Sequence, residues 1–158
     1  SHGFMTALFF ALIGMIYGRT HTRDIAKLGG LLKVIPFIST IYVIAGLASL
    51  GLPGFSGFVA EMNIFVGAFQ HEEIFYRVAT IISVSAIVVT AVYILRVVGI
   101  MLMGPVKNPD FLNLPKATWF EIVGILLLLI PIVGMGVAPL WLSDMILGSL
   151  EPFIHRVL

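Results

Sequence analysis

A carboxylate follows a helix-breaking motif within a long apolar stretch of this chain. The motif is GLPGFSGFVAE, which begins at Gly51 and ends at Glu61. A carboxylic acid enclosed by protein can bind or release a proton, because burial favours its neutral form and a nearby cation favours its ionised form. Glu61 in this position therefore predicts a proton-transfer group. The alternative is a structural ion pair with a basic residue.

The residues before Glu61 predict that the helix carrying it is interrupted. Proline removes a backbone hydrogen-bond donor, and glycine allows backbone angles that other residues resist. Non-helical backbone inside a membrane is tolerated only where protein or a water-filled cavity satisfies its polar groups. Transporters use such broken helices to build polar sites. The predicted break consists of Gly51, Pro53, Gly54 and Gly57.

Three other ionisable side chains occur in or beside apolar segments. The imidazole of His2 could pass protons, or it could serve only as a structural hydrogen-bond partner. Arg96 is either a partner for a buried acid or a long side chain that reaches the membrane surface. Glu121 begins an apolar segment, and we expect it to interact favourably with the helix dipole there.

The composition excludes several other kinds of site. The chain has no cysteine, so disulfides, thiolate catalysis and cysteine-bound metal clusters are excluded. Its net charge is +1, and its basic residues do not form the clustered face that nucleic-acid binding requires. The histidines show no metal-ligand spacing. They are His2, His21, His71 and His155.

The elements that must position these side chains are predicted to be membrane helices. The chain has 158 residues, of which 59% are hydrophobic, and its mean hydropathy is +1.11. A spanning helix needs about 20 predominantly apolar residues. We therefore predict an all-α integral membrane protein in which residues 1–158 form one domain with four spanning segments. The segments are Ser1–Gly18, Val34–Phe69, Phe75–Met103 and Trp119–Leu142.

The second segment is too long for one straight crossing. Its roughly 36 residues would extend about 54 Å as a helix, whereas the hydrocarbon core of a bilayer is about 30 Å thick. The break motif lies near its middle. We therefore predict two half-helices, Val34–Leu50 and Phe58–Phe69, joined by unwound backbone.

The two ends of the chain lead to separate expectations. The first apolar run is short for a span and lacks an initiator methionine, so we expect the chain to be the C-terminal part of a longer protein. After Pro139 the sequence mixes apolar and charged residues, which predicts an interfacial amphipathic helix. The charged or titratable residues of this helix are Asp144, Glu151, His155 and Arg156.

The distribution of lysine and arginine predicts the orientation in the membrane. Cytoplasmic loops are enriched in these residues. The opposite side carries only Arg77 and Arg156. The first and third loops are therefore predicted to be cytoplasmic. Their basic residues are Arg19, Arg23, Lys27, Lys33, Lys107 and Lys116.

Two long motifs resemble one membrane-protein family. SHGFMTALFFALIGMIYGRTHTRDIAKLGGL and ASLGLPGFSGFVAEMNIFVGAF lie in register across residues 1–69 and are similar to the C-terminal part of the M-type antiporter-like subunits of proton-pumping NADH:quinone oxidoreductase, respiratory complex I. The last two segments agree in length and position but carry weaker signatures. In related L-type, N-type and sodium/proton antiporter subunits a lysine typically stands where this chain has Glu61, so the glutamate points to the M type.

The resemblance implies a fold and roles for individual residues. The four segments would be the eleventh to fourteenth helices of fourteen, with the twelfth broken at the Leu-Pro-Gly turn. Glu61 would belong to the terminal proton-transfer site near the outer exit. His2 would match a histidine on the hydrophilic axis that joins the proton channels. Arg96 cannot be assigned a role in this way, because the end of the third segment lacks the pattern common in the family.

The resemblance also implies the setting in which the chain works. It predicts no cofactor in this chain, with NADH, flavin, iron–sulfur clusters and quinone bound by other subunits of the enzyme. It predicts a bacterial cytoplasmic membrane, and it predicts as partners the other membrane-arm subunits, including those of L and N type. One alternative is an antiporter-like subunit of a multisubunit sodium/proton antiporter or of a membrane-bound hydrogenase. Another is a structural scaffold whose polar residues only secure assembly.

Overall fold

A computed structural model shows that the described part of the chain is built from helices. It describes the backbone of residues 1–157 and the side chains of residues 1–146 and 148–150. A short 3-10 helix, Pro109–Asn113, precedes the sixth α-helix. The α-helices are α1 (His2–Thr20), α2 (Leu31–Val34), α3 (Pro36–Ser49), α4 (Ser56–Phe69), α5 (Ile74–Leu102), α6 (Trp119–Val137) and α7 (Pro139–Val157).

The predicted all-α membrane class is confirmed. Helices α1, α5 and α6 are long and apolar enough to cross a membrane, with 19, 29 and 19 residues. Helices α3 and α4 are apolar but have only 14 residues each. Between them lies a non-helical segment, residues 50–55, which we call the α3–α4 turn. The predicted half-helices are thus close to α3 and α4, but their ends differ.

The first half-helix begins earlier than predicted and contains an additional interruption. Leu31 already starts α2, although the sequence placed it in a loop. Ile35 then separates α2 from α3 with φ −124° and ψ 66°. The interruption arises because the ring of Pro36 disfavours helical angles in the residue before it. Proline is tolerated at the first position of α3, where its missing N–H would have no partner in the helix.

The fourth predicted segment ends earlier than expected. Helix α6 stops at Val137, because Ala138 leaves helical geometry before Pro139. The residues from Pro139 to Leu142 belong to α7 instead. In α7 the structure describes the side chain of Asp144. The side chains of Glu151, His155 and Arg156, on which the predicted amphipathic pattern also depends, lie outside the described residues.

The core lies where α1 and α3 meet α6 and the end of α5. Helix α1 packs against α3 and α6, and α4 packs against α5 and α6. Much of α5 exposes apolar side chains, as expected for a helix that faces lipid or further membrane helices. In this arrangement the end of α6 contacts the α3–α4 turn. Fully buried core side chains include Leu8, Leu12, Ile38, Ala45, Leu102, Ile125 and Ile132.

Candidate functional site

The α3–α4 turn is built by two glycines with left-handed backbone angles. Gly51 has φ 64° and Gly54 has φ 98°, both in the region that β-carbons disfavour. The N–H of Gly51 donates to the Ala48 carbonyl at 3.2 Å, and the N–H of Phe55 donates to the Leu52 carbonyl at 3.2 Å. Local hydrogen bonds thus close the turn on both sides. Pro53 lies between the two glycines and is exposed.

Gly57 does not lie in the turn. The structure places it in the first helical turn of α4, which begins at Ser56 and not at the predicted Phe58. A β-carbon on Gly57 would come within 3.1 Å of the Ala48 carbonyl oxygen. The glycine is therefore needed for the close approach of α4 to the end of α3. From the sequence alone, a glycine that allows close packing cannot be distinguished from a glycine that interrupts a helix.

The carboxylate of Glu61 folds back onto the turn. Glu61 lies on the second turn of α4 and is half-buried. Its Oε2 atom occupies the position that a β-carbon on Gly51 would take. Among the described side chains Glu61 forms no ion pair, so the structure offers no basic partner for it within this part of the chain.

A cleft between α4 and α5 is lined in part by Glu61. Its volume is about 580 Å³, and it extends from Gly51 past Glu61 and Phe65 to Thr80 and Ile87. Among the described residues that line it, Glu61 is the only one with a charged side chain. The hydroxyl of Thr80 donates to the Tyr76 carbonyl at 2.7 Å. Glu61 is thus an ionisable residue beside a largely apolar space.

Two other helices contact the turn or the first residue of α4. The Ser1 and Ser56 hydroxyls lie 2.7 Å apart, which joins the start of α1 to the start of α4. On α6, Gly136 approaches so closely that a β-carbon there would overlap the Gly54 carbonyl oxygen and the backbone of Phe55. Protein thus contacts part of the turn, whereas Leu52 and Pro53 are exposed.

The structure does not bring all the predicted site residues together. His2 is exposed at the start of α1, where Nε2 lies 3.5 Å from the Thr6 hydroxyl. His2 is close in sequence to the Ser1–Ser56 contact but does not line the cleft of Glu61. Arg96 is exposed on α5, also outside that cleft. Within the described residues no group of three histidine or acidic side chains could hold a metal ion.

A salt bridge between α1 and α6 was not predicted from the sequence. The guanidinium of Arg19 at the end of α1 forms a two-pronged salt bridge with Glu121 at the start of α6, with Nη2–Oε2 at 2.7 Å and Nη1–Oε1 at 2.9 Å. Glu121 also forms a capping box with Thr118, whose hydroxyl accepts from the Glu121 N–H. The capping box could have been identified from the TWFE sequence. The salt bridge could not, because its partners are 102 residues apart.

Comparison with known proteins identifies relatives of this chain. A model of the family described as "NADH:quinone oxidoreductase/Mrp antiporter, TM" matches residues 1–90. NADH-quinone oxidoreductase subunit M of Rickettsia felis is 32% identical over 99% of this chain. Subunit M of Rickettsia bellii is 33% identical over 88% of it. NAD(P)H-quinone oxidoreductase chain 4 of a Synechococcus species is 33% identical over 99% of it.

The alignments cover only part of each relative. The chain spans 27% of the length of the Rickettsia bellii protein, 31% of the Rickettsia felis protein and 30% of the Synechococcus protein. The family match contains α1, the α3–α4 turn and Glu61, which are the elements that carried the resemblance in the sequence. The resemblance is confirmed, and the chain belongs to the NADH:quinone oxidoreductase/Mrp antiporter transmembrane family.

Proposed function

We propose that this chain is the C-terminal part of a proton-translocating M-type subunit of an NADH:quinone oxidoreductase, and that Glu61 takes up and releases the transported proton. The observation that carries the proposal is the position of Glu61, whose carboxylate is folded onto Gly51 and which lines a largely apolar cleft. The relatives that align along nearly the whole chain are subunits of quinone oxidoreductases. Redox chemistry would take place in other subunits.

The proposal treats α3 and α4 as one interrupted crossing. Each helix has 14 residues and would extend only about 21 Å, which is too short to cross about 30 Å of hydrocarbon alone. Both pack along α5, whose 29 residues exceed that thickness. With α1, α5 and α6, this gives four crossings. Helix α7 would then lie at the membrane interface.

The proposed mechanism is a change in the surroundings of the Glu61 carboxylate during turnover. In the present arrangement Glu61 lines a largely apolar cleft. A cation or water brought to the cleft by movement elsewhere in the enzyme would favour the ionised acid and release the proton. The α3–α4 turn allows such changes, because its backbone polar groups are not all committed to a helix. His2 is proposed as a relay on the neighbouring helix.

The proposal includes an orientation and partners. The ends of α1 and α5 and the start of α6 would face the cytoplasm of a bacterium, because the loops between them carry most of the lysine and arginine residues. The exposed apolar face of α5 would contact lipid or other membrane-arm subunits. Subunits of L and N type are the partners implied by the resemblance.

A second candidate is an antiporter-like subunit of a sodium/proton antiporter. The family description includes Mrp antiporters as well as quinone oxidoreductases, and this observation favours keeping both. Neighbouring genes would separate the two candidates. Genes for quinone-reductase subunits support the first, and genes for antiporter or hydrogenase subunits support the second.

The test is the substitution Glu61→Gln in the complete enzyme, with Glu72→Gln as a matched control. Glutamine keeps the size and hydrogen-bonding capacity of the side chain but cannot exchange a proton. Glu72 is exposed in the loop between α4 and α5. We expect fewer protons to be pumped per electron pair in Glu61→Gln, and wild-type pumping in the control. Equal pumping and quinone-linked turnover in both variants would show that Glu61 does not transfer protons.

A further inference from the structure

We propose that Arg19 and Glu121 are positioning residues that set the axial register of α1 against α6, and thereby hold the α3–α4 turn in place at the far ends of both helices. The pair joins the end of α1 to the start of α6. The proposed consequence for Glu61 rests on its function in proton transfer. The proposed register rests on contacts alone.

Every hydrogen-bond donor of the Arg19 guanidinium has an acceptor at this junction. An arginine guanidinium has five N–H donors. The structure supplies an acceptor for each: both carboxylate oxygens of Glu121, the Met15 carbonyl at 3.0 Å, the Pro115 carbonyl at 2.8 Å and the Lys116 carbonyl at 3.1 Å. The Arg19 side chain is only 7% exposed. A surface ion pair that serves only solubility would not use every donor in this way.

The Glu121 carboxylate is also held by several hydrogen bonds. Glu121 Oε2 accepts from the Thr118 backbone N–H at 2.7 Å and from the Thr118 hydroxyl at 3.0 Å, in addition to Arg19. Thr118 is the N-cap of α6. The partner of Arg19 is thus fixed to the first turn of α6. A displacement of α6 along its axis must move this carboxylate with it.

The opposite ends of the same two helices contact the α3–α4 turn and the first residue of α4. Helices α1 and α6 have 19 residues each, which corresponds to about 28 Å. At one end of this length lies the Arg19–Glu121 pair. At the other, Ser1 contacts Ser56 and Gly136 contacts the backbone of Gly54 and Phe55. Two antiparallel helices of equal length therefore connect the charged pair to the turn.

Apolar packing alone would select this register weakly. The sides of α1 and α6 that face the core carry leucine and isoleucine, such as Leu12 and Ile125. Within a membrane, lipid tails are as apolar as these side chains, so burial gives no strong preference among registers. A slip of one residue moves a helix by about 1.5 Å. Such a slip would break most of the Arg19 hydrogen bonds, because they weaken steeply beyond ideal geometry.

The register in turn affects the candidate proton site. Ser56 is the first residue of α4, and Glu61 follows on the next turn of the same helix. Movement of the start of α4 relative to the end of α3 would change the contact between Glu61 and Gly51. Arg19 and Glu121 do not touch that site. They would act on it only through α1 and α6.

The test measures two cysteine pairs in the complete, assembled protein. The first, Ser1→Cys with Ser56→Cys, reports the distant end of α1. The second, Gly46→Cys with Ile94→Cys, reports the contact between α3 and α5, where a β-carbon on Gly46 lies 3.1 Å from Ile94 Cγ2. Disulfide formation in each pair is measured in the otherwise unchanged protein and in proteins that also carry Arg19→Lys, Glu121→Gln or Arg23→Lys. Arg23→Lys is the control. The Arg23 guanidinium lies over the Tyr17 ring, 4.7 Å from its centroid, and takes no part in the Arg19–Glu121 salt bridge.

We expect Arg19→Lys and Glu121→Gln to lower disulfide formation in the first pair by threefold or more, and to leave the second pair unchanged. Arg23→Lys should change neither pair. Unchanged yields in the first pair would overturn the proposal. A parallel loss in both pairs would also overturn it, because that result indicates general loosening of the fold. Since these yields require no proton transport, the outcome is independent of the Glu61→Gln experiment.

A transport measurement then tests the link to Glu61. In the protein without the introduced cysteine pairs, Arg19→Lys should lower the number of protons pumped per electron pair. The amount of assembled enzyme should stay at the wild-type level. Arg23→Lys should pump normally. If Arg19→Lys shifts the first cysteine pair but pumps normally, the register is set by Arg19 and the proposed consequence for Glu61 is wrong.

Discussion

The Glu61 carboxylate occupies the space in which a β-carbon on Gly51 would lie. The contact joins a residue of the α3–α4 turn to a side chain on the second turn of α4. Gly51 therefore meets two requirements at once. It adopts a left-handed backbone angle, φ 64°, and it leaves room for the acid. Glycine at this position and glutamate ten residues later are parts of one arrangement.

Alanine at Gly51 should be more harmful than alanine at Gly54. Both glycines have positive φ, and a left-handed angle costs a β-carbon about 1–2 kcal/mol. Only Gly51→Ala also collides with Glu61, since the space around a β-carbon on Gly54 is open. We expect a lower melting temperature and lower turnover for Gly51→Ala, measured by thermal unfolding in detergent and by quinone-linked activity.

A double-mutant cycle separates the two causes. In Gly51→Ala with Glu61→Ala the collision is removed and the backbone strain remains. The destabilisation of the double variant should therefore be smaller than the sum of the single effects, as expected for residues in direct contact. Additive effects would mean that Gly51 and Glu61 are not coupled.

Substitutions in α6 should distinguish Gly136 from Gly134. A β-carbon on Gly136 would overlap the Gly54 carbonyl and the Phe55 backbone, whereas nothing lies within 4 Å of one on Gly134. We expect Gly136→Ala to destabilise the protein by about 1–3 kcal/mol through overpacking. Gly134→Ala should be neutral or slightly stabilising, because alanine favours helix more than glycine. Thermal unfolding of both variants, compared in the same detergent, provides the measurement. Identical melting temperatures would contradict the close approach of α6 to the turn.

Removal of the Thr118 hydroxyl should weaken the start of α6. Thr118→Ala eliminates the N-cap acceptor and the hydroxyl donor to Glu121, and such losses cost about 1 kcal/mol. The control is Thr90→Ala, because that exposed hydroxyl contacts only the Ala86 carbonyl within its own helix. Hydrogen exchange of the amides at the start of α6 should increase in Thr118→Ala alone. Equal exchange in the two variants would show that the cap does not stabilise this end.

His2→Gln tests the proposed relay. Glutamine can accept or donate a hydrogen bond near Thr6, where His2 lies, but it does not titrate. We expect fewer protons per electron pair in His2→Gln and normal pumping in His71→Gln. His71 is the matched control, since it lies exposed in the loop before α5, where Nδ1 accepts from the Glu73 N–H. Wild-type pumping by His2→Gln would leave His2 with a structural role only.

The sequence located several elements well because the responsible forces are local. Long apolar runs predicted α5 and the start of α6 nearly to the residue. Proline and glycine predicted the region of the α3–α4 turn, because their backbone restrictions do not depend on distant residues. The additional break at Ile35 was missed, although the following Pro36 could have indicated it.

The same local information could not assign different roles to the three glycines of the predicted break. In the sequence, Gly51, Gly54 and Gly57 are equivalent small residues. In the structure Gly51 accommodates Glu61, Gly54 has a strained angle in open space, and Gly57 lies inside α4 against the end of α3. These differences depend on which atoms lie opposite each glycine, and those atoms belong to other turns of the chain.

The sequence by itself determined the membrane class, the apolar helices and the candidate acid, because hydropathy and backbone restrictions act over a few neighbouring residues. Only the tertiary structure decided which residues contact the acid and its turn. Ser1 meets Ser56 across 55 positions, and Arg19 meets Glu121 across 102. Such contacts depend on the directions in which packed helices run and on their axial register. Neither property can be derived from the residues of one helix alone.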